Sequence, residues 1–215
     1  MPWIEQLRSA DWNRAGCIGL AAYFLGCFTS GYYLVRWRTG QDIREVGSGS
    51  VGARNVGRLL GRPGFVVTVL ADFAKGALAT WGARHFTTDS LLVALAMLGV
   101  VAGHIWPVQL RFRGGKGMAT ALGALLIYDW QSAVTFVILF GGGLAVFRKT
   151  VIPGLFALVC LPFTGLVLGR GPAEVISSAM LAGLVLLAHR KNLATEISLL
   201  LEHRQVSQKH NPPEL

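Results

Sequence analysis

The chain is poor in charge, and the charge it has is lopsided. Only 14% of its 215 residues are Asp, Glu, Lys or Arg, with 11 acidic residues against 20 basic ones. Cysteine is scarcer still: Cys17, Cys27 and Cys160 all lie inside apolar runs. That pattern excludes a disulfide framework, a CxxC redox pair and a thiolate metal site. There is no GxSxG nucleophile elbow. The G-x-x-x-x-G-K-[ST] spacing of a nucleotide-binding loop is also missing. Nothing in the composition marks a second domain. We expect one membrane domain over residues 1–201, followed by a short polar, Pro-ended tail over 202–215.

What is abundant is apolar. Hydrophobic residues make up 53% of the chain, and the mean hydropathy is +0.51, well beyond a soluble average. Apolar runs cover Ala15–Val35, Phe65–Ala83, Ser90–Leu110, Met118–Phe147, Val151–Gly169 and Val175–Ala188. The first is too long for a signal-peptide core and lacks a short positive flank and a clean cleavage site, so it reads as a retained transmembrane helix. Among 27 glycines, Gly141-Gly142-Gly143 suggests close helix packing.

The fourth run is ambiguous. As one helix it would measure about 45 Å, against a hydrocarbon core of about 30 Å. Asp129-Trp130-Gln131 interrupts it where a turn would suit. Loops rich in Lys and Arg stay in the cytoplasm, so charge can arbitrate. Two short helices there place 15 basic residues on one side and 4 on the other, whereas one long helix gives 10 and 9. The expected fold is therefore an all-α integral membrane protein with seven transmembrane helices, the N-terminus outside and the C-terminus cytoplasmic.

Polar chemistry collects in three islands: Gly47–Arg58 (GSGSVGARNVGR), Gly103–Thr120 (GHIWPVQLRFRGGKGMAT) and His189–Asn192 (HRKN). All three face the cytoplasm in the seven-helix topology. Donors and positive charge dominate them, so the expected ligand is anionic, most simply a phosphate. In the first, Gly47, Gly49, Gly52 and Gly57 permit backbone that cradles an anion. Ser48 adds a hydroxyl, and Arg54 or Arg58 can grip phosphate bidentately. In the second, Lys116 stands among Gly114, Gly115 and Gly117, with His104 and Pro107 just before it. In the third, Arg190 and Lys191 look like ordinary interface flanks, while His189 and Asn192 share a face if the helix continues. A histidine there can serve as acid or base. Asp72 and Lys75, at i and i+3 inside the second apolar run, read as a structural ion pair beneath the site.

At these residues the chain resembles the bacterial acyl-phosphate:glycerol-3-phosphate acyltransferases, the PlsY family. The family pattern is GSGNxGATNxxR, D-x-x-K-G, GHxxPxxxxFxGGKGxAT and HRxN, and all four recur here in that order. The resemblance implies a seven-helix fold with a cytoplasmic active site in the bacterial inner membrane. It implies acyl transfer from acyl phosphate to the 1-hydroxyl of sn-glycerol 3-phosphate, giving lysophosphatidic acid and phosphate. It assigns Ser48, Arg58, Lys116, His189 and Asn192 to substrate phosphates and transfer. The supporting residues are Gly47, Gly49, Ser50, Gly52, Arg54, Asn55, His104, Gly114, Gly115 and Gly117. An acyl phosphate is already activated, so direct attack needs positioning and charge stabilisation more than a nucleophile. The proton goes to the leaving phosphate or to His189. Neither metal nor cofactor is expected.

Two departures stand out: Ser50 replaces the family's Asn, and Arg54 replaces its Thr. They leave open a paralogue that acylates another phosphorylated alcohol. A transporter of small phosphorylated solutes is the reading from another class. Against it, the outside face is nearly bare of basic residues and no inverted repeat is visible. The net charge of +9 distributes by membrane side and indicates anionic lipid and substrate rather than nucleic acid.

Overall fold

The computed structural model describes residues 11–148 and 150–210, with side chains through residue 191 and at residue 193. Among the described residues the chain is all helix and loop. In order come α1 (Trp12–Cys27), α2 (Ser30–Thr39), α3 (Ala53–Phe86, interrupted at Gly61, where φ is 71°), α4 (Ser90–Ile105), α5 (Met118–Tyr128), α6 (Trp130–Phe147), α7 (Val151–Val167) and α8 (Pro172–His210). Among the described residues five helical segments are long and apolar enough to cross a membrane: Trp12–Thr39, Ala53–Phe86, Ser90–Leu110, Trp130–Phe147 and Pro172–Lys191. Met118–Tyr128 and Val151–Val167 are shorter apolar helices.

The fourth apolar run divides where its polar residues stand. Asp129 closes α5 and caps α6, accepting from Gln131 N (3.2 Å) and the Ser132 hydroxyl (2.7 Å). Arg170 reaches across to the same carboxylate at 2.7 Å. A carboxylate that caps a helix and holds an arginine cannot also lie mid-helix in hydrocarbon, which is why one run becomes two helices.

The first run divides as well, contrary to the single helix expected from it. Backbone at Phe28 and Thr29 is extended, between α1 and α2. The carbonyls released there are taken by Lys75, whose Nζ lies 3.2 Å from Gly26 O and 2.8 Å from Phe28 O. The break is tolerated because a buried donor on another helix satisfies it.

Glycines set the closest helix crossings. A Cβ at Gly26 would strike Val100 O, and one at Gly103 would strike Tyr23 O, so α1 lies backbone-to-backbone on α4. Gly76 and Gly123 do the same for α3 and α5. The Gly141–Gly143 triplet departs from its expectation. Only Gly143 meets a neighbour, Pro153, and Gly141 and Gly142 face open space. The α6 helix bearing them is the least buried of the long ones.

Chain direction orders the bundle ends. The starts of α3 and α5 and the end of α4 share one end. Phe86, Ser90 and Tyr128 mark the other, where Arg84 donates to Tyr128 O at 2.9 Å.

Candidate active site

The first island is half loop and half helix, with α3 beginning at Ala53. Its loop is wound around one amide. Asn55 is 3% exposed, and its Oδ1 accepts from Ser48 N at 3.1 Å. Its Nδ2 donates to Val46 O (2.8 Å), Ser50 O (3.0 Å) and Ile43 O (3.2 Å). Gly47 has φ +60°, and a Cβ there would collide with Asn55 Oδ1. The side chain of Asn55 is thus spent on the loop itself. Ser50 Oγ accepts from Gly52 N at 3.3 Å and braces the same turn. Ser48, Arg54 and Arg58 are left on the exposed surface.

A second loop folds back onto α4. Gly114 N and Gly115 N donate to Ile105 O (3.1 Å) and His104 O (3.0 Å). These bonds hold Arg111 and Phe112 in left-handed backbone, φ 54° and 60°. Such conformations cost about 1–2 kcal/mol for residues with a Cβ. Gly115 lies flat against the His104 ring, with no room for a side chain. His104 is itself 3% exposed and belongs to a buried polar network. Its Nδ1 lies 2.8 Å from Lys75 Nζ, so it accepts from the ammonium. Lys75 pairs with Asp72 at 3.1 Å, and Ser30 Oγ donates to Asp72 at 2.8 Å. Asp72 and Lys75 therefore form the pair their spacing suggested, and His104 joins them behind the glycine turn.

The loops meet at Arg44. Its guanidinium holds Asp42 through both carboxylate oxygens and donates to Leu110 O at 2.9 Å. That contact holds the Asp42 carboxyl below its usual range and the Arg44 guanidinium above its own. Between the islands opens a cleft of about 470 Å³, within the range of small-ligand sites. Ser48, Gly49 and Ser50 line it from the first island, Gly114, Gly115 and Lys116 from the second, Arg190 and Lys191 from the third. Arg44, Arg113, Trp106, Phe112 and Leu187 complete the wall.

Lys116 is half-buried, and desolvation pushes its ammonium below the ordinary lysine value, with the charges of Arg54 and Arg58 adding to the effect. No ion pair among the described residues engages any of these three cations. Like charges gathered without carboxylates are arranged for an anion. His189 is buried just behind the cleft, and its Nδ1 lies 2.8 Å from Val185 O. A carbonyl only accepts, so Nδ1 carries the proton and Nε2 keeps its lone pair. Lys116 and Arg54 are near enough for their charges to act on that ring. Helix α8 runs through Asn192, but the Asn192 side chain lies outside the described residues. Among the described residues no group of three or more His, Cys, Asp or Glu is placed to hold a metal.

A family model described as glycerol-3-phosphate acyltransferase matches residues 17–198. The chain belongs to that family. It is 45% identical over 177 residues to glycerol-3-phosphate acyltransferase 1 of Desulfitobacterium hafniense (strain Y51), covering 81% of this chain and 86% of the relative. Crystal structures of PlsY (YgiH), an integral membrane glycerol 3-phosphate acyltransferase, superpose closely. Its glycerol 3-phosphate form gives a TM-score of 0.79 at 30% identity, covering 86% of this chain and 92% of that one. The lysophosphatidic acid form gives 0.77 at 28% identity, with the same coverage. The chain is accordingly a multi-pass membrane protein with an acyltransferase fold.

Within this acyltransferase, sequence reasoning overlooked Arg44, Arg113 and the aromatic wall, and it set Arg190 and Lys191 aside as interface flanks. All of them border the cleft. Arg44 carried one signal: its spacing from Asp42 favours a local carboxylate–guanidinium pair. Nothing local separates Arg190 or Lys191 from an ordinary basic flank.

Proposed function

We propose that this protein transfers a fatty acyl group from acyl phosphate to the 1-hydroxyl of sn-glycerol 3-phosphate, releasing lysophosphatidic acid and phosphate. The observation carrying this is the convergence of the three islands on one cleft, where Lys116 stands within range of the charges of Arg54 and Arg58 and none of these three is held by a carboxylate among the described residues. Lys116, Arg58 and Arg54 hold phosphate charge, and Ser48 and Asn192 orient oxygens. Phosphate is a good leaving group, so the acceptor hydroxyl attacks the acyl carbon directly. The carbon–oxygen bond to phosphate breaks, and the hydroxyl proton passes to the departing phosphate or to His189 Nε2. Stabilisation of the tetrahedral oxyanion and the leaving phosphate by fixed cations is the largest contribution expected.

The topology that goes with this reading has seven crossings, counting both short apolar helices, with the cleft on the cytoplasmic side of the bacterial inner membrane. The charge asymmetry across the crossings supports it. The test is phosphate release by purified protein from palmitoyl phosphate, with and without glycerol 3-phosphate. Release that requires the acceptor and yields lysophosphatidic acid is expected. Acceptor-independent hydrolysis, or no release, would refute the assignment.

A further inference from the structure

The loops that bring the first and second islands to the cleft are joined through a residue that belongs to neither. Arg44 sits in a short 3-10 helix over Ile43–Glu45, just before the first loop. Its backbone braces that loop: the Arg44 carbonyl lies against Gly49, where φ is +67° and an added Cβ would come within 3.1 Å of it. Ser48 and Ser50 flank that glycine in the cleft wall. Its side chain braces the second loop. All three guanidinium nitrogens donate, Nε and Nη2 to the Asp42 carboxylate and Nη1 to Leu110 O at 2.9 Å. The same carbonyl accepts from Arg113 N at 3.2 Å, three residues before Lys116. The guanidinium also lies over the Tyr32 ring of α2, 5.3 Å from its centroid. Beneath it, Leu110 packs into a small apolar cluster with Ile43, Val51 and Val56. Such packing brings the loops together without direction. The planar fork supplies the direction, because with every nitrogen engaged it has one orientation.

Transfer between two bound phosphate compounds depends on how those loops are spaced. Ser48 and Arg58 belong to the first island and Lys116 to the second. Sliding one loop against the other would leave every phosphate contact present but misalign the attacking hydroxyl and the acyl carbon. A misplacement of about 1 Å can cost about 100-fold in rate. We propose that Arg44 is a positioning residue for acyl transfer, setting the distance between the Ser48 loop and the Lys116 loop and so the approach of hydroxyl to acyl carbon. It acts through geometry, since Asp42 already answers its charge. Lys116, Arg54 and Arg58 differ in that respect, being held by no carboxylate among the described residues. This inference rests on the acyltransferase reading above.

The experiment weakens the fork from each side. Arg44→Lys keeps the charge but replaces the fork with a single ammonium, and Asp42→Asn loosens the carboxylate's grip while leaving Arg44 in place. Steady-state kinetics with palmitoyl phosphate and glycerol 3-phosphate are measured for wild type, both single variants and the double variant, beside their melting temperatures. Each single variant should lose about 10- to 100-fold in kcat. KM for both substrates should stay within about threefold of wild type, because no phosphate ligand is removed. The double variant should lose no more than the worse single, since both changes break one fork. A raised KM at unchanged kcat would make Arg44 a direct phosphate ligand and overturn the proposal. Losses that multiply in the double variant would overturn it, as would a lower melting temperature with wild-type kcat, the mark of a merely structural brace. Where Arg44→Lys fails to accumulate, Asp42→Asn carries the kcat-against-KM test alone. All these outcomes leave the acyltransferase reading intact, whereas wild-type protein inactive on palmitoyl phosphate would overturn both.

Discussion

Replacing Lys75 with methionine removes the ammonium at the centre of the buried network while keeping much of its volume. Four groups lose their partner: Asp72 at 3.1 Å, His104 at 2.8 Å, and the carbonyls of Phe28 and Gly26 at 2.8 and 3.2 Å. The carboxylate decides the magnitude. Asp72 is 3% exposed and keeps the Ser30 hydroxyl and, at 3.6 Å, the His104 ring. Breaking a buried ion pair from one side costs about 3–5 kcal/mol. For a chain of this size each kcal/mol lowers the midpoint by about 2–4 °C, so Lys75→Met should lose roughly 6–20 °C. Thermal unfolding of detergent-purified protein, followed by tryptophan fluorescence, reads the shift. The double variant Asp72→Leu with Lys75→Met removes both charges, and such apolar replacements are often near neutral. It should recover part of the loss, the remainder being about 1–3 kcal/mol for each orphaned carbonyl, a cost common to both variants. A single-variant shift below about 3 °C would refute the argument. So would a double variant no more stable than the single.

Three further outcomes follow from the site. Lys116→Ala should lower turnover about 100- to 1000-fold, as loss of a preorganised charge does, with an unchanged melting temperature; near-normal phosphate release would exclude Lys116 from the site. Because burial and the neighbouring guanidinium charges hold the Lys116 ammonium below its ordinary value, its proton is lost at lower pH than an exposed lysine's, and activity should fall on that alkaline limb. Arg54→Thr removes one of those charges, so the limb should move to higher pH; a fixed or acid-shifted limb in the pH profile counts against the assignment. Asn55→Asp keeps the acceptor for Ser48 N but removes the donors to Val46, Ser50 and Ile43, and should destabilise the protein by about 2–4 kcal/mol, read as a lower melting temperature with weakened glycerol 3-phosphate binding by calorimetry.

Legibility depended on the range of the interactions. The division at Asp129 could be read because the polar residues that cause it sit in the run they interrupt. The break at Phe28 and Thr29 could not, since the lysine that satisfies its carbonyls is 47 residues from Phe28. The three islands pointed to an anion site through composition alone, and parts of all three line one cleft. Their division of labour stayed hidden, because only folded backbone distinguishes the amide of Asn55, turned inward to wind the loop, from the hydroxyl of Ser48, left at the cleft. Arg190 and Lys191 belong to the cleft for a reason no local pattern carries: α8 packs with that end beside the glycine turn.

The clamp on the first helix also bears on how the chain enters a bilayer. A charged residue at mid-helix opposes insertion by about 2.5–3.5 kcal/mol, and α3 carries two, Asp72 and Lys75. The broken α1–α2 segment has its own deficit in the bare carbonyls of Gly26 and Phe28. Each defect is the other's remedy, since the ammonium that burdens α3 is the donor that α1 lacks. The two segments are then most stable as a pair, which favours their leaving the insertion machinery together. In α3 the same lysine secures the glycine turn through His104, so early membrane assembly already sets the floor on which the cleft is later closed.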